Sequence, residues 1–225
     1  MSKVHTEEEF STLLDNNLTD RIRELSDLKS AVSDATYATR DVLLKAVVAL
    51  AYAHWEGFVK FSAQRYFDFI TARRLPFKRL NPQFYKNSFL ARLNALSASK
   101  VSLTARYELI DNILDSKGKT FRSVNKDLID TGSNLKFSVL QDICSVCGLN
   151  SDKFSAEEDF IDRILLKRRN AIAHGDEAEV GIGEVDDVIQ RTIGLMRQFK
   201  NELENTIYSK GYLSSNVPAL ERAQG

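Results

Sequence analysis

Between residues 6 and 33 the apolar positions are Phe10, Leu13, Leu14, Leu18, Ile22, Leu25, Leu28 and Val32. Their three-and-four spacing is that of one face of a helix. A second helix is predicted over 37–72, where the stripe widens into a nearly continuous band of Leu43, Leu44, Val47, Val48, Leu50, Trp55, Phe58, Val59, Phe61, Tyr66, Phe69 and Ile70. A helix apolar around most of its girth belongs at the centre of its bundle. Pro76 and Pro82 then predict a loop over 73–81, with Pro82 in the first turn of the next helix. Shorter helices are predicted at 83–96 and 103–115, followed by an irregular stretch over 116–132. Ser133 and Asn134 read as caps of a helix through Leu135, Val139, Leu140, Ile143 and Cys147, stopped by Gly148. Ser155-Ala-Glu-Glu158 fits a capping box at the start of a helix that carries Phe160, Ile161, Ile164, Leu165 and Ile172 up to His174-Gly175. A last amphipathic helix is predicted over 184–209. The chain from Gly211 on has little apolar material and is expected to form a flexible tail over 211–225.

No segment alternates as a strand does, so the expected fold is all-α: a single helical domain over 1–210. Composition agrees. Only 3 Pro and 10 Gly occur in 225 residues, too few for the turns that a sandwich or barrel needs every 8–12 residues or so. No uninterrupted apolar run approaches the ~18 residues that mark a membrane span. The start, MSKVHTEEEF, lacks the apolar stretch of a secretory signal, and two cysteines cannot make a disulfide framework. The expectation is a soluble, cytoplasmic protein without a membrane partner.

Charge changes this picture. The total is zero, 31 basic against 31 acidic, yet residues 60–126 carry 14 basic and 4 acidic side chains. An excess of ten in the middle of a neutral chain is suited to an anionic partner such as nucleic acid; it is also what wet faces of long helices look like.

Several motifs fall away on inspection. Cys144 and Cys147 form a lone CxxC on a helix, without the further ligands a zinc site requires, and read as buried apolar residues. Gly181-Ile-Gly183 has no preceding strand and no third glycine, and the GKT at 118–120 lacks the first glycine of a phosphate loop. No metal or cofactor is expected. The informative stretch is Lys167-Arg168-Arg169-Asn170-Ala171-Ile172-Ala173-His174-Gly175. On a helix, Lys167, Asn170 and His174 share one face, flanked by Arg168 and Arg169. Guanidinium groups bind phosphate bidentately, and imidazole transfers protons near neutrality. These are ingredients for phosphodiester cleavage without a metal, and equally for a basic helix end that complements its dipole. Glu56, beside His54 and Trp55 in the apolar band, is an acid that either orients Arg169 or His174 from a neighbouring helix or lies on a wet stripe. His54 itself reads as a core or surface histidine rather than a catalytic one.

Arg169-Asn170-x-x-x-His174 resembles the Arg-x4–6-His motif of the HEPN superfamily (higher eukaryotes and prokaryotes nucleotide-binding domains). AYAHWEGFVK at 51–60 resembles the long second helix of its free-standing prokaryotic members, and SNLKFSVL at 133–140 the segment before the motif helix. The resemblance implies a four-helix up-and-down core with extra helices inserted, dimerising with the motif at the interface. It implies a metal-independent endoribonuclease, used as a toxin or in antiphage defence, with an antitoxin or defence-system protein as partner. Arg169 and His174 would be the catalytic pair and Asn170 a polar auxiliary. Arg168 stands where it can assist phosphate binding, although no family rule requires it. Members paired with nucleotidyltransferase antitoxins often carry Tyr two residues after the His; Asp176 stands there in this chain, so that mode of inactivation is unavailable. A non-catalytic HEPN module that binds RNA, nucleotide or a partner protein, and a purely structural adaptor, are the alternatives.

Overall fold

The computed structural model describes residues 4–97 and 102–215. Two long helices open the chain, α1 (Glu7–Asp34) and α2 (Tyr37–Ala72), followed by α3 (Pro82–Ser97), α4 (Leu103–Asp115) and α5 (Phe137–Cys147). A π-helical segment, Phe160–Lys167, runs directly into α6 (Arg168–His174), and α7 (Val185–Tyr208) completes the fold. The described residues contain no strand, only two isolated antiparallel bridges, Pro76 with Thr120 and Leu80 with Leu213. The protein is all-α.

α2 is the axis of the bundle. α1 and α7 pack along it and against each other, while α5, the π-helical segment and α6 pack on it from another side. By length and composition α2 would be apolar enough to cross a membrane. It spends that surface on the core instead, where Val47, Val48, Ala51, Trp55, Phe58, Val59, Tyr66, Phe69 and Ile70 are fully enclosed. Each such large side chain contributes about 1.5–3 kcal/mol through apolar burial. Trp55 meets Phe199 of α7 edge-on at 6.4 Å between centroids.

The ends of the helices follow local chemistry in some places and tertiary partners in others. At α1, Thr6 Oγ1 accepts from Glu9 N at 3.0 Å, and the Glu9 carboxylate accepts in return from Thr6 N at 3.2 Å. That reciprocal box, with three glutamates in the first turn, fixes the start of the helix. α5 ends as expected on Gly148, at a φ of 74° that favours glycine. Its start differs: Ser133 and Asn134 do not cap it. The Phe137 N–H is met by Asp162 Oδ1 at 2.6 Å, from the π-helical segment. The box expected at Ser155 and Glu158 does not form either. Asn150 begins a 3₁₀ turn over Ser151–Glu157, and Ser155 Oγ donates to Asp152 O. Buried Phe154 anchors this earlier turn.

Past α7, the chain from Gly211 does not run loose as expected. Tyr212 and Leu213 are buried, and Asn81 N donates to Tyr212 O at 2.8 Å. The remainder of the expected tail lies outside the described residues. At the far end of α2, the chain through Leu75–Phe77 runs antiparallel to 119–121, with Phe77 N donating to Lys119 O at 3.0 Å and Phe121 N to Leu75 O at 2.9 Å. Phe121, within the second of these segments, meets Phe77 and Phe84 edge-on.

Candidate active site

α6 is where the expected site residues meet the core. The π-helical winding just before it adds a residue to each turn, a local departure often found at functional sites. From Arg168 to His174 the helix is regular and stops at Gly175, which adopts a left-handed φ of 78°. Five residues of regular helix separate Arg169 and His174 by about 140° around the axis.

Arg169 points inward toward α2. Its guanidinium carbon lies 4.6 Å from the centroid of the Tyr52 ring, a cation–π contact. Nη1 donates to Asn170 Oδ1 at 2.8 Å and Nη2 to the Ser133 carbonyl at 3.2 Å. The Tyr52 hydroxyl in turn accepts from Leu135 N at 2.7 Å. Burial is the main reason the Tyr52 phenol is pushed up to about 12, with the Glu56 carboxylate adding to the shift and Arg169 opposing it. The ring is therefore neutral across the physiological range, and its hold on Arg169 does not titrate there. Glu56 accepts from Thr131 Oγ1. Tyr52, Glu56, Thr131, Ser133 and Leu135 thus form a frame that joins α2 to the segment before α5, and Arg169 sits in that frame. Gly132 and Ser133 both have positive φ, 56° and 58°, which turns the Ser133 carbonyl region tightly at this point.

His174 is presented differently. It is exposed at the last position of α6 and makes no hydrogen bond or ion pair among the described residues. Asn170, half-buried, is one turn away on the same face. Glu56 engages Thr131 and lies beside Tyr52, with no hydrogen bond to Arg169 or His174; its influence on Arg169 passes through the Tyr52 frame. Arg168 turns away from Arg169 and pairs with Glu184 Oε1 at 3.1 Å. That pairing engages the charge expected to assist phosphate binding. Beside it, Arg163, Lys167, Arg168 and Ala171 wall a shallow groove of about 280 Å³ rimmed by Glu177 and Glu179.

The sequence profile of the RiboL-PSP-HEPN family matches residues 16–205, which takes in α2, the Tyr52 frame, α6 and nearly all of α7. The chain belongs to the HEPN family. No curated protein and no solved structure matches it. In this HEPN domain α6 lies against α2, and the polar segment before α5 closes over Arg169.

Sequence reasoning overlooked Tyr52. Its signal was available: Tyr52 and Glu56 stand one helical turn apart in α2, a hydroxyl and an acid within a band that is otherwise apolar. Asp162, which ties the motif segment to α5, carried no signal, because its partner lies 25 positions away.

The other chemistry-bearing residues lie apart from the motif. Cys144 and Cys147 are buried thiols, the first pushed up to about 12 by burial and the second well above the ordinary thiol range. Both are too protonated to act as nucleophiles. Among the described residues no three His, Cys, Asp or Glu side chains converge as metal ligands would. His54 is buried on the α1 side of α2, with Arg21 Nη1 3.1 Å from its Nδ1 and Glu24 Oε2 3.3 Å from its Nε2. Gly57, one turn on, leaves room for that guanidinium: a Cβ there would stand 3.0 Å from Arg21 Nη1.

Burial, and secondarily Arg21, holds the His54 pKa below its ordinary 6.5. Folding therefore favours the neutral ring. Its contribution to stability is complete above about pH 6.5 and is lost as pH falls through the lowered value. The urea midpoint of the protein is expected to drop between pH 7.5 and 5.5, and to drop less in a His54→Gln variant. Identical pH profiles for the two proteins would remove His54 from this role.

Proposed function

We propose that this HEPN protein is an endoribonuclease that cleaves RNA without a metal, acting as a toxin or antiphage-defence effector. In this reading two copies pair with α6 near the two-fold axis, and Arg169 and His174 are the catalytic residues. The observation that carries the proposal is the contrast between the two side chains of the motif. Arg169 is oriented in advance by Tyr52, Asn170 and Ser133, while His174 stands exposed and unengaged at the end of the same helix.

The chemistry follows from those roles. The ribose 2′-hydroxyl attacks the adjacent phosphorus as its proton passes to a His174 imidazole. The bond from phosphorus to the 5′-oxygen breaks, that oxygen takes up a proton from water, and the imidazolium returns its own proton to solvent. Arg169 stabilises the non-bridging oxygens as charge builds on them. The products are a 2′,3′-cyclic phosphate and a 5′-hydroxyl. A pair of chains supports this better than one, because the 140° separation turns Arg169 and His174 of a single helix away from one another. A two-fold axis beside α6 brings each arginine toward the opposite histidine.

A second reading has its own support. The three contacts of Arg169 also serve the fold, which suits a non-catalytic module that binds RNA, nucleotide or a partner protein. The two separate in one assay. Purified protein incubated with RNA in excess EDTA is expected to cut it and to leave 5′-hydroxyl ends. Cleavage that EDTA abolishes and magnesium restores contradicts the metal-independent mechanism; RNA bound but left intact selects the second reading.

A further inference from the structure

Part of the basic excess of residues 60–126 is gathered at one end of the molecule. Lys60 is spent on Asp130 at 3.0 Å and Arg65 on Asp68 at 3.0 Å. Another group collects at the far end of α2, where backbone hydrogen bonds hold Leu75–Phe77 against 119–121. In sequence Arg74 and Lys78 flank the first of these paired segments, and Lys117 and Arg122 flank the second, which contains Lys119; the two segments are joined at the bridge between Pro76 and Thr120. All five of these cations are exposed and make no ion pair among the described residues. Elsewhere in the molecule Lys29, Lys153, Arg163, Arg168, Arg191 and Lys200 each have a carboxylate partner. Like charges held together by a backbone pairing raise the energy of the protein alone, and an anion with several charges relieves it.

We propose that this end of the molecule, Arg74, Lys78, Lys117, Lys119 and Arg122, is a second RNA-binding surface that grips the phosphate backbone away from the motif. The proposal rests on the reading of this protein as one that acts on RNA, and it adds where a long substrate is held. Twenty residues of α2 separate Tyr52, under Arg169, from Ala72, which is about 30 Å at 1.5 Å per residue. At a stacked spacing of about 3.4 Å per nucleotide, a strand of roughly ten nucleotides covers that distance. A trinucleotide reaches the motif alone. The phosphate backbone fits the patch because it repeats charge at short intervals, and because the paired segments contribute cations, Pro, Gly and Thr rather than exposed aromatic side chains that would read bases.

The test uses the full chain with Lys78, Lys117, Lys119 and Arg122 all replaced by Gln, four exposed positions outside the core. Binding of a 30-nucleotide single-stranded RNA is measured across salt concentrations on a His174→Ala background, so that cleavage plays no part. Cleavage of the 30-mer and of a trinucleotide is measured with His174 intact. The quadruple variant is expected to bind the 30-mer at least tenfold more weakly. The slope of log affinity against log salt should become shallower by about 0.7 for each phosphate that is no longer neutralised. Its cleavage of the trinucleotide should match that of the parent. Unchanged affinity and slope for the 30-mer overturn the proposal. So does a parent that binds vesicles of anionic phospholipid through these residues but not RNA. If the parent cleaves nothing, the endoribonuclease reading fails, while the binding comparison still decides the second surface.

Discussion

Replacing Arg169 or His174 by Ala is expected to lower RNA cleavage by at least ~100-fold, the scale of a missing acid–base group or a missing donor to a developing anion. The two losses should differ in kind. His174 is exposed and unengaged, so His174→Ala removes proton transfer and leaves the fold untouched. Arg169 also bridges Tyr52, Asn170 and the Ser133 carbonyl, so Arg169→Ala loosens the segment before α5 as well and should lower the urea midpoint. Arg169→Lys keeps the charge but not the planar fork, and should recover stability better than activity. Rates and urea midpoints for the three variants, measured side by side, check this pattern. A His174→Ala protein that cleaves as fast as its parent would remove the histidine from the chemistry.

Trp55→Ala is expected to have the largest effect on stability. The indole is fully buried on the central helix and packs edge-on against Phe199, which itself meets Phe154 at 6.2 Å. Truncation therefore opens a cavity where α2, α7 and the 3₁₀ turn at 151–157 converge. Such changes cost about 3–5 kcal/mol, which for a domain of this size is a fall in Tm of roughly 10 °C. Trp55→Phe should cost much less, since the indole N–H has no hydrogen-bond partner to lose. Calorimetry or thermal circular dichroism measures both. A Trp55→Ala protein that melts within about 2 °C of its parent, well below the expected shift, would show that the bundle closes over the gap.

The long elements were legible because each is fixed by its own residues. Apolar periodicity and the Thr6–Glu9 box set α1, the apolar band set α2 across its full length, and Gly148 and Gly175 set two helix ends. What was illegible depends on partners distant in sequence. Ser133 and Asn134 looked like caps because a short polar side chain before an apolar run satisfies orphan amides; the amide of Phe137 instead found Asp162. Ser155 looked like the start of the motif helix, but buried Phe154 pinned a 3₁₀ turn there first. The expected loose tail failed over Tyr212 and Leu213 because the 73–81 connection offers them backbone partners and apolar cover. At the candidate site, sequence placed Arg169, Asn170 and His174 on one helix. It could not place the Tyr52 ring beneath the arginine, since that contact spans more than a hundred residues, nor foresee that Glu184 takes up Arg168.

The proposed catalytic site, shared between two chains, is tested most directly by mixing. Arg169→Ala and His174→Ala proteins are each assayed on one RNA in EDTA, then combined in equal amounts under conditions that exchange subunits. In a mixed pair one composite site loses both residues and the other keeps an arginine from one chain and a histidine from its partner. Random exchange makes half the pairs mixed, so activity should return to about a quarter of the parent's, from two proteins that are nearly inactive alone. Exchange demonstrated without any return of activity would contradict a site built from both chains, and single variants that cleave like the parent would contradict the catalytic pair itself.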